Sequence, residues 1–234
     1  MSTLAIIPAK GESKGVHAKN RRIIGGKPLV MWTIQQALVA ESIDFVVVSS
    51  EAPIIREMAI LEGAAAIPRP PELAKDTTST EDVIEHTLSM VEPEPDNIVL
   101  LQPTSPVRRP SDIDTCVDML QTYNSVLTVV PSHRFFWTID NNTSTPINYQ
   151  VGKRPRRQEM GNRYMENGSI YAFHTKGFNM YKNRLFGKIG LYEMNYWSRF
   201  EIDDEEDFAL VDWILSGGPE DYKPQPDFIR GARP

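Results

Sequence analysis

The sequence predicts an α/β fold with a mostly parallel sheet that carries helices on both faces. Short apolar runs rich in β-branched residues alternate along the chain with longer segments of helical pattern. Such alternation is typical of β-α-β units, in which a helix joins two parallel strands. The 234 residues suit one such domain, and an apolar content of 41% is enough for a packed core.

The predicted elements follow one another in a regular order. Strands are predicted at 3–8, 44–49, 64–67, 97–101 and 125–130. Helices are predicted at 28–40, 53–62, 80–91, 110–122 and 204–215. Pro28 and Pro110 fit the first turn of their helices, where a missing amide hydrogen is harmless. In this Rossmann-like arrangement ligands bind beyond the carboxyl ends of the strands, so the segments 10–22 and 102–109 are expected to meet there.

Two segments depart from the alternation. Residues 131–165 mix Pro, Asn, Thr and Arg with few apolar runs, and they are too long for an ordinary loop inside a compact domain. Residues 217–234 are rich in Pro and Gly and are predicted to form an extended tail. The sequence therefore predicts one domain over residues 1–216, with a functional segment inserted at 131–165.

Charge and cysteine content restrict the classes of function. The net charge of −6 speaks against general nucleic-acid binding, although the basic cluster at 153–157 leaves an RNA-binding protein as a minor alternative. No apolar run approaches the length of a membrane span, and the first residues lack the basic region of a signal peptide. The single cysteine, Cys116, is predicted to be a buried thiol, which fits a cytoplasmic protein.

The loop after the first predicted strand carries the clearest chemistry. Lys10 immediately precedes Gly11, and Lys14 immediately precedes Gly15. Glycines accept positive φ and allow close approach, and turned backbone amides with lysines form an anion cradle. Neither the P-loop spacing nor the G-x-G-x-x-G fingerprint is present. The loop indicates a phosphorylated ligand, and a solvated basic loop is the alternative.

Ordered sequence blocks identify a related family. The opening stretch IPAKGESKGVHAKNRRIIGGKPLVMWTI is followed by RPPELAKDTTSTEDVI (69–84), LLQPTSPVR (100–108), HRFFW (133–137), KRPRRQ (153–158), YMENGSIYAF (164–173), and LYEM with FEIDDEEDF (191–208). Together these blocks resemble the CMP-sialic acid synthetases, or acylneuraminate cytidylyltransferases. A series of blocks in the right order is far more specific than any single motif.

The resemblance implies a reaction and an assembly. CMP would pass from CTP to the anomeric hydroxyl of a sialic-acid-type nine-carbon 2-keto sugar acid, and pyrophosphate would leave. The cofactor would be Mg²⁺ or Mn²⁺. The protein would be a homodimer in which the segment 131–165 forms a dimerisation lobe and completes the active site of the neighbouring subunit.

The resemblance also implies a nucleotide-binding set. It comprises Lys10, Ser13, Lys14, Asn20, Arg69, Thr78, Thr80 and Gln102. Lys10 stands where the family has arginine, so the charge is kept but the planar bidentate fork is lost. The amide of Asn20 suits the edge of cytosine, and a turn-forming asparagine is the alternative. The hydroxyls at 77–80 have a second interpretation as the N-cap of a helix beginning near Glu81.

Further residues are implied on the acceptor side. The acceptor-binding set comprises Gln102, Asn167, Tyr171, Trp137 and Phe186, and the catalytic set comprises Lys10, Lys14, Arg156 and Arg157. Asn167 and Tyr171 lie four residues apart on a predicted strand, so they are expected to share a face. Core packing is the alternative for Phe186. Arg156 and Arg157 are not distinguished, and either would bind the leaving phosphate or the acceptor carboxylate.

Glu201 and Asp203 are the predicted metal ligands. On a strand, residues two apart face the same side, so both carboxylates would reach one hard cation. Mg²⁺ prefers oxygen ligands and often uses one or two carboxylates with substrate phosphates. The resemblance places its metal-binding carboxylates at these positions. The acids at 204–207 are interpreted instead as the start of a helix, where they stabilise the macrodipole.

Two alternatives to this function remain open from the sequence. One is the same reaction on legionaminic, pseudaminic, deaminated sialic or Kdo acid. The other is a non-catalytic nucleotide-binding homologue weakened at Lys10.

Overall fold

A seven-stranded sheet forms the centre of the fold in the computed structural model, which describes residues 1–220 and Tyr222. The strands are β1 (Thr3–Pro8), β2 (Ile23–Ile24), β3 (Lys27–Pro28), β4 (Phe45–Ser50), β5 (Ala65–Pro68), β6 (Asn97–Leu101), β7 (Ser125–Pro131), β8 (Trp137–Asp140), β9 (Thr143–Pro146), β10 (Tyr164–His174) and β11 (Ile189–Glu193). The helices are α1 (Leu29–Val39), α2 (Pro53–Glu62), α3 (Thr80–Leu88), α4 (Pro110–Met119), α5 (Thr175–Tyr181) and α6 (Glu205–Leu215). Most of the predicted tail at 217–234 lies outside the described residues.

The sheet has the strand order β11-β7-β10-β6-β1-β4-β5. Its neighbouring strands are parallel except for β10, which runs antiparallel between β6 and β7. The mostly parallel sheet is therefore confirmed, and every predicted strand and helix is present with slightly shifted bounds. Pro110 is the first residue of α4, whereas Pro28 immediately precedes α1 instead of lying in its first turn.

Helices cover both faces of the sheet, as predicted. Ala5 and Ile7 of β1 pack with α1, α2 and α4 on one face. Leu4 and Ile6 pack with α3 and α5 on the other. Successive side chains of a strand alternate between faces, so a strand buried on both sides is apolar throughout. None of the helices within residues 1–220 is long and apolar enough to cross a membrane.

Helix α6 covers a loop instead of the sheet. Val16, in the glycine loop (residues 10–18), packs with Ile202 and with Phe208 of α6 in a third buried cluster. Ile202 is the middle residue of the acidic segment (residues 201–203). This cluster therefore fixes the predicted phosphate-binding loop against the predicted metal ligands.

The inserted segment forms a lobe (residues 131–165) beside the sheet. It leaves at Pro131 and returns at Tyr164, and these two residues pair across β7 and β10. The lobe contains the β8–β9 hairpin. Several of its large apolar side chains are exposed: Phe136, Trp137, Ile139, Ile147 and Val151.

Candidate active site

The segments predicted to meet at the strand ends do meet. The glycine loop follows β1, Thr104 follows β6, and the acidic segment lies against both. The N–H of Ile202 donates to the carbonyl of Thr104 at 2.9 Å, and the carbonyl of Ile202 accepts from Lys19 Nζ at 2.5 Å. Lys19, immediately after the glycine loop, and the acidic segment with the predicted metal ligands therefore share one crevice at this end of the sheet.

A carboxylate that the sequence did not single out holds the start of the glycine loop. Glu51 Oε1 accepts from the N–H of Gly11 at 2.6 Å, and Glu51 Oε2 accepts from Arg69 Nη2 at 2.9 Å. Burial alone would raise the pKa of Glu51, but these hydrogen bonds bring it below its usual value. Arg69, predicted to bind nucleotide, is thus paired with Glu51, and its buried Nε has no partner among the described residues.

Gly11 and Gly15 allow close approach, but neither has a positive φ, so that part of the prediction is wrong. A Cβ atom on Gly11 would lie 2.7 Å from the Cβ of Ala52. A Cβ atom on Gly15 would lie 1.8 Å from the carbonyl oxygen of Asp203. Both distances are far below van der Waals contact, so neither position has room for a side chain.

The two predicted triphosphate lysines share one partner. Lys14 Nζ lies 2.7 Å from Asp76 Oδ2, and Lys10 Nζ lies 3.5 Å from Asp76 Oδ1. Lys10 Nζ also donates to the carbonyl of Lys75 at 2.9 Å. The hydrogen bond and charge of Asp76 raise the pKa of Lys14. Ser13 is partly exposed in the same loop.

Asn20 is buried, with its hydrogen bonding half complete. Its Nδ2 donates to the carbonyl of Lys10 at 2.8 Å, and its Oδ1 has no partner among the described residues. The side chain therefore fixes the loop and leaves one acceptor for a ligand. Beside it, burial lowers the pKa of Lys19, and the charges of Asp203 and Glu201 oppose that shift.

Glu201 and Asp203 flank buried Ile202 on an extended segment, which is not a strand, so that prediction is wrong. Glu201 Oε1 accepts from Thr104 Oγ1 at 3.0 Å. Burial, together with the charges of Asp203 and Glu166, raises the pKa of Glu201. Carboxylates that repel one another in a partly buried site favour a cation between them.

The available donors fit a hard divalent cation. A Cβ atom on Gly168 would lie 3.1 Å from Gln102 Oε1 and 3.2 Å from Glu201 Oε2, so these two oxygens flank the same point. Oxygen ligands of this kind are those that Mg²⁺ prefers. Residues 1–220 contain no group of three or more His, Cys, Asp or Glu side chains that could hold a metal. Other ligands would therefore come from substrate and water.

Thr78 and Thr80 flank the N-cap of α3. Ser79 Oγ accepts from the N–H of Asp82 at 3.0 Å, and Asp82 Oδ2 accepts from the N–H of Ser79 at 3.2 Å. This is a capping box, so the helix-cap interpretation of residues 77–80 is confirmed. Thr78 Oγ1 donates to the carbonyl of Glu72 at 3.2 Å. Nucleotide binding by the two threonines stays a prediction.

A β-bulge separates Asn167 from Tyr171. The register of β10 against β7 shifts between Glu166 and Tyr171, where Gly168 has a φ of 64°. Tyr171 packs in the cluster on the α3–α5 face. Asn167 Nδ2 instead contacts Met194 Sδ, which belongs to the cluster on the opposite face. The prediction that Asn167 and Tyr171 share a face is therefore wrong.

Tyr171 belongs to a charged network that the sequence did not predict. Its hydroxyl donates to Glu166, and Arg184 lies 4.6 Å from the centroid of its ring. Arg184 Nη1 in turn donates to Glu81 Oε1 at 2.6 Å. Burial, followed by the bond to Glu166, raises the pKa of Tyr171 well above its usual value. This phenol therefore stays protonated at neutral pH.

Trp137 and Phe186, both predicted to bind the acceptor, lie in different places. Phe186 stacks on Tyr181 with ring centroids 5.5 Å apart, and its backbone bonds Ser125 at the start of β7. The start of β7 lies at the end of the sheet opposite the crevice. Phe186 therefore does not line the crevice of its own chain, and core packing is confirmed. Trp137 is half exposed in the lobe, 5.8 Å from the ring of Tyr149.

Arg156 and Arg157 lie in the lobe at a short 3₁₀ turn. The backbone N–H of Arg156 donates to Glu159 Oε2 at 2.8 Å. Arg157 lines a cavity of about 560 Å³ together with Pro131, His133, Arg134, Glu193, Met194, Tyr196 and Arg199. None of the other predicted site residues lines this cavity. Arg157 therefore lines a cavity that Lys10 and Lys14 of the glycine loop do not line.

Comparison with known proteins decides the family. A family model described as Cytidylyltransferase matches residues 4–215. The chain belongs to the cytidylyltransferase family. N-acylneuraminate cytidylyltransferase B of Danio rerio is 35% identical over 218 residues, which are 91% of this chain and 50% of that protein. N-acylneuraminate cytidylyltransferase of Escherichia coli O18:K1:H7 is 33% identical over 216 residues, 89% of this chain and 51% of that protein. The chain spans about half the length of the curated relatives it matches.

Solved structures share this fold. A CMP:2-keto-3-deoxy-manno-octonic acid synthetase complexed with CTP matches with a TM-score of 0.70 at 18% identity, over 92% of this chain and 99% of the other. A 4-diphosphocytidyl-2C-methyl-D-erythritol synthase from Anaerococcus prevotii matches with a TM-score of 0.66 at 15% identity, over 92% and 96%. The Rossmann-like α/β architecture is therefore confirmed.

A fully buried arginine holds the strand ends together at the crevice. Arg108 donates to the carbonyls of Gln102 and Ser169, each at 2.6 Å, and to Thr33 Oγ1 at 2.9 Å. Burial lowers the pKa of Arg108 to about 9. Its place at the end of the block LLQPTSPVR was a signal, but the inward direction of the side chain depends on tertiary packing.

Proposed function

We propose that this chain transfers the CMP group of CTP to the anomeric hydroxyl of a sialic-acid-type nine-carbon 2-keto sugar acid, with release of pyrophosphate. The curated relatives are named N-acylneuraminate cytidylyltransferases, and they match nine tenths of this chain. The proposal applies to the chain as it stands, which is about half as long as those relatives.

One observation carries the proposal: the glycine loop and the acidic segment are locked together. Gly15 lies against the backbone of Asp203, and Lys19 is bonded to the carbonyl of Ile202. A triphosphate bound by Lys10 and Lys14 would therefore lie beside the carboxylates that hold its metal ion. Positioning and charge stabilisation of this kind supply most of the catalysis in phosphoryl transfer.

The nucleotide roles follow from the donors and acceptors of each residue. Lys10 and Lys14 bind phosphate oxygens as point charges. Asn20 Oδ1, which lacks a partner among the described residues, accepts from the exocyclic amino group of cytosine. Gln102 lies between nucleotide and acceptor. Thr78 and Thr80 bind the nucleotide from the end of α3, where the helix dipole favours an anion.

Glu201 and Asp203 hold a divalent cation, Mg²⁺ or Mn²⁺. When bound, such an ion neutralises phosphate charge and polarises the phosphoryl group. Glu201 is already oriented by Thr104, and Lys19 keeps the acidic segment in place through the Ile202 carbonyl. The residues of the chain therefore present the metal ligands in a fixed position before the substrate arrives.

The lobe forms a homodimer interface and the acceptor is bound between subunits. Contiguous exposed apolar side chains mark interaction surfaces, and the lobe carries several of them. Arg157, on its basic cavity, suits the acceptor carboxylate of the partner subunit's crevice better than Arg156, whose backbone closes a turn. Tyr171 and Trp137 bind the acceptor. Asn167 supports Tyr171 from the opposite face of β10.

We also propose a cytoplasmic protein with no nucleic-acid or membrane partner. The acidic balance and the single, buried cysteine support this location.

The test is pyrophosphate release from CTP and Mg²⁺ with a panel of N-acetylneuraminic, deaminated neuraminic, legionaminic, pseudaminic and Kdo acids. Asp203→Ala is expected to abolish release. Asp118→Ala, which removes an exposed carboxylate from α4, is the matched control and is expected to leave the rate unchanged.

Each result separates the alternatives. Release with a sialic-type acid supports the proposal. Release with Kdo acid alone would mean that the acceptor is Kdo acid and not a sialic-type acid. CTP binding without release on any acid favours the non-catalytic homologue. Release that persists in Asp203→Ala contradicts the assigned metal site.

A further inference from the structure

The anion cradle of the glycine loop is filled by a carboxylate of the same chain. Lys14 Nζ lies 2.7 Å from Asp76 Oδ2, and Lys10 Nζ lies 3.5 Å from Asp76 Oδ1. One carboxylate thus places one oxygen toward each of the two lysines assigned to the triphosphate. In charge and in spacing, Asp76 stands where a phosphate group is expected.

The position of Asp76 in the chain makes this contact movable. It lies in the connection between β5 and α3, and its side chain is 52% exposed. Within residues 1–220 it forms ion pairs with Lys10 and Lys14, and the Lys14 side chain is 85% exposed. Ion pairs this open to solvent are weak, so a ligand of higher charge can replace one partner.

Glu51 provides the contrast. It also bonds the glycine loop, through the N–H of Gly11, but it is paired with Arg69, whose side chain is only 2% exposed. A carboxylate held by a buried arginine is a fixed part of the loop. Asp76 has no such anchor among the described residues, so its carboxylate is the exchangeable one.

We propose that Asp76 occupies the triphosphate cradle of the free enzyme, is displaced from Lys10 and Lys14 by the nucleotide, and thereby sets nucleotide affinity. This inference rests on the proposed function, because it assigns the two lysines to a triphosphate. The same carboxylate returns to the lysines when pyrophosphate leaves. Asp76 therefore weakens binding of the substrate and assists release of the product.

The proposal predicts a gain of affinity when the charge of Asp76 is removed. Asp76→Asn keeps the size of the side chain and ends both the competition and the repulsion of bound phosphates. We expect the Kd for CTP and for inorganic pyrophosphate to fall by about three- to tenfold at low salt, the range that loss of weak exposed pairs allows. The gain should shrink in 1 M salt, where the Debye length is about 3 Å.

The experiment is calorimetric titration of the full chain with CTP and, separately, with inorganic pyrophosphate. Glu57→Gln removes an equally exposed acid from α2 and is the matched control, with an expected unchanged Kd. Lys14→Met and the double variant with Asp76→Asn complete a cycle. If the two residues act on each other, the gain from Asp76→Asn should be much smaller in the Lys14→Met background.

The outcomes distinguish this inference from the proposed function. Tighter binding of both probes by Asp76→Asn supports the inference. Unchanged or weaker binding overturns it, and weaker binding means that Asp76 orients the lysines. If Asp76→Asn tightens CTP binding as expected but the wild-type chain releases no pyrophosphate with any acid of the panel, the proposed function fails and the inference stands. If it binds neither probe, both fail.

Discussion

The α-carbon of Gly15 faces the carbonyl oxygen of Asp203 so closely that a Cβ atom would lie 1.8 Å from it. Gly15→Ala must therefore push the glycine loop away from the acidic segment. We expect kcat/KM for CTP to fall at least about tenfold, because a small displacement of positioned groups is costly in catalysis. Steady-state kinetics at saturating acceptor measures the loss.

Gly152→Ala is the control for this change. A Cβ atom on Gly152 would meet nothing within 4 Å, so the lobe should accept it and kinetics should stay as in the wild type. Equal kinetics for Gly15→Ala and wild type would mean that the loop and the acidic segment separate freely during turnover.

Arg108 is expected to be a large contributor to stability. Arg108→Met removes three hydrogen bonds from a charged donor, and the carbonyls of Gln102 and Ser169 keep only longer backbone bonds, at 3.3 and 3.4 Å. A hydrogen bond to a charged group contributes about 1.5–3 kcal/mol. The free energy of unfolding, from urea denaturation, should therefore fall by about 3 kcal/mol or more. Arg109→Met, at an exposed neighbouring position, should change it by about 0.5 kcal/mol or less. Similar losses in both variants would contradict the buried clamp.

Asn167 is expected to act through the fold as well as through any ligand. It is 2% exposed, accepts from Thr128 Oγ1 at 2.6 Å and donates to Ser198 Oγ at 3.0 Å. Asn167→Ala should lower the free energy of unfolding by about 1–3 kcal/mol, because both hydroxyls lose a partner. Unchanged stability with a raised KM for the acceptor would show instead that Asn167 contacts the sugar directly.

Cys116 should be inert in the folded protein. Its side chain is fully buried, and burial raises the pKa of the thiol well above its usual value. A thiol reagent should label it only at the rate of unfolding, and rapidly in urea. Because the unfolded thiol ionises near pH 8.5 and the folded one does not, its contribution to stability is present below about pH 8.5 and declines as pH rises above it. Rapid labelling of native protein would contradict the burial.

Most of the sheet could be predicted because its parallel strands are apolar on both faces. β1 reads TLAIIP and β6 reads NIVLL, and short, mainly apolar strands of this kind can be predicted from the sequence alone. β10 was harder, because its first half reads YMENG, with polar residues and a glycine inside the strand. That glycine was a usable signal: a glycine within a strand often marks a bulge, and here the bulge at Gly168 turns Asn167 and Tyr171 to opposite faces.

The loops that form the candidate site were predicted, but the acidic residues that pair with those loops were not. The glycine loop, and Glu201 with Asp203, can be recognised from residues that lie close together in the sequence. Glu51 and Asp76 belong to other strand–helix connections, 40 and 66 residues away from Gly11 and Lys10, respectively, and reach them only through the tertiary fold. No local pattern distinguishes them from other acidic residues, so sequence reasoning had no means of pairing them.

Pro131 and Tyr164, where the lobe leaves and rejoins the sheet, pair with each other in the β7–β10 ladder. The chain leaves and re-enters the seven-stranded sheet across one rung of the β7–β10 ladder, so a change in the length of the lobe need not move the strands of that sheet. A replacement segment that keeps the pairing of residues 131 and 164 should therefore leave the proposed nucleotide site intact. The proposed roles of the lobe in acceptor binding and subunit pairing can therefore change while the glycine loop and the acidic segment stay in place.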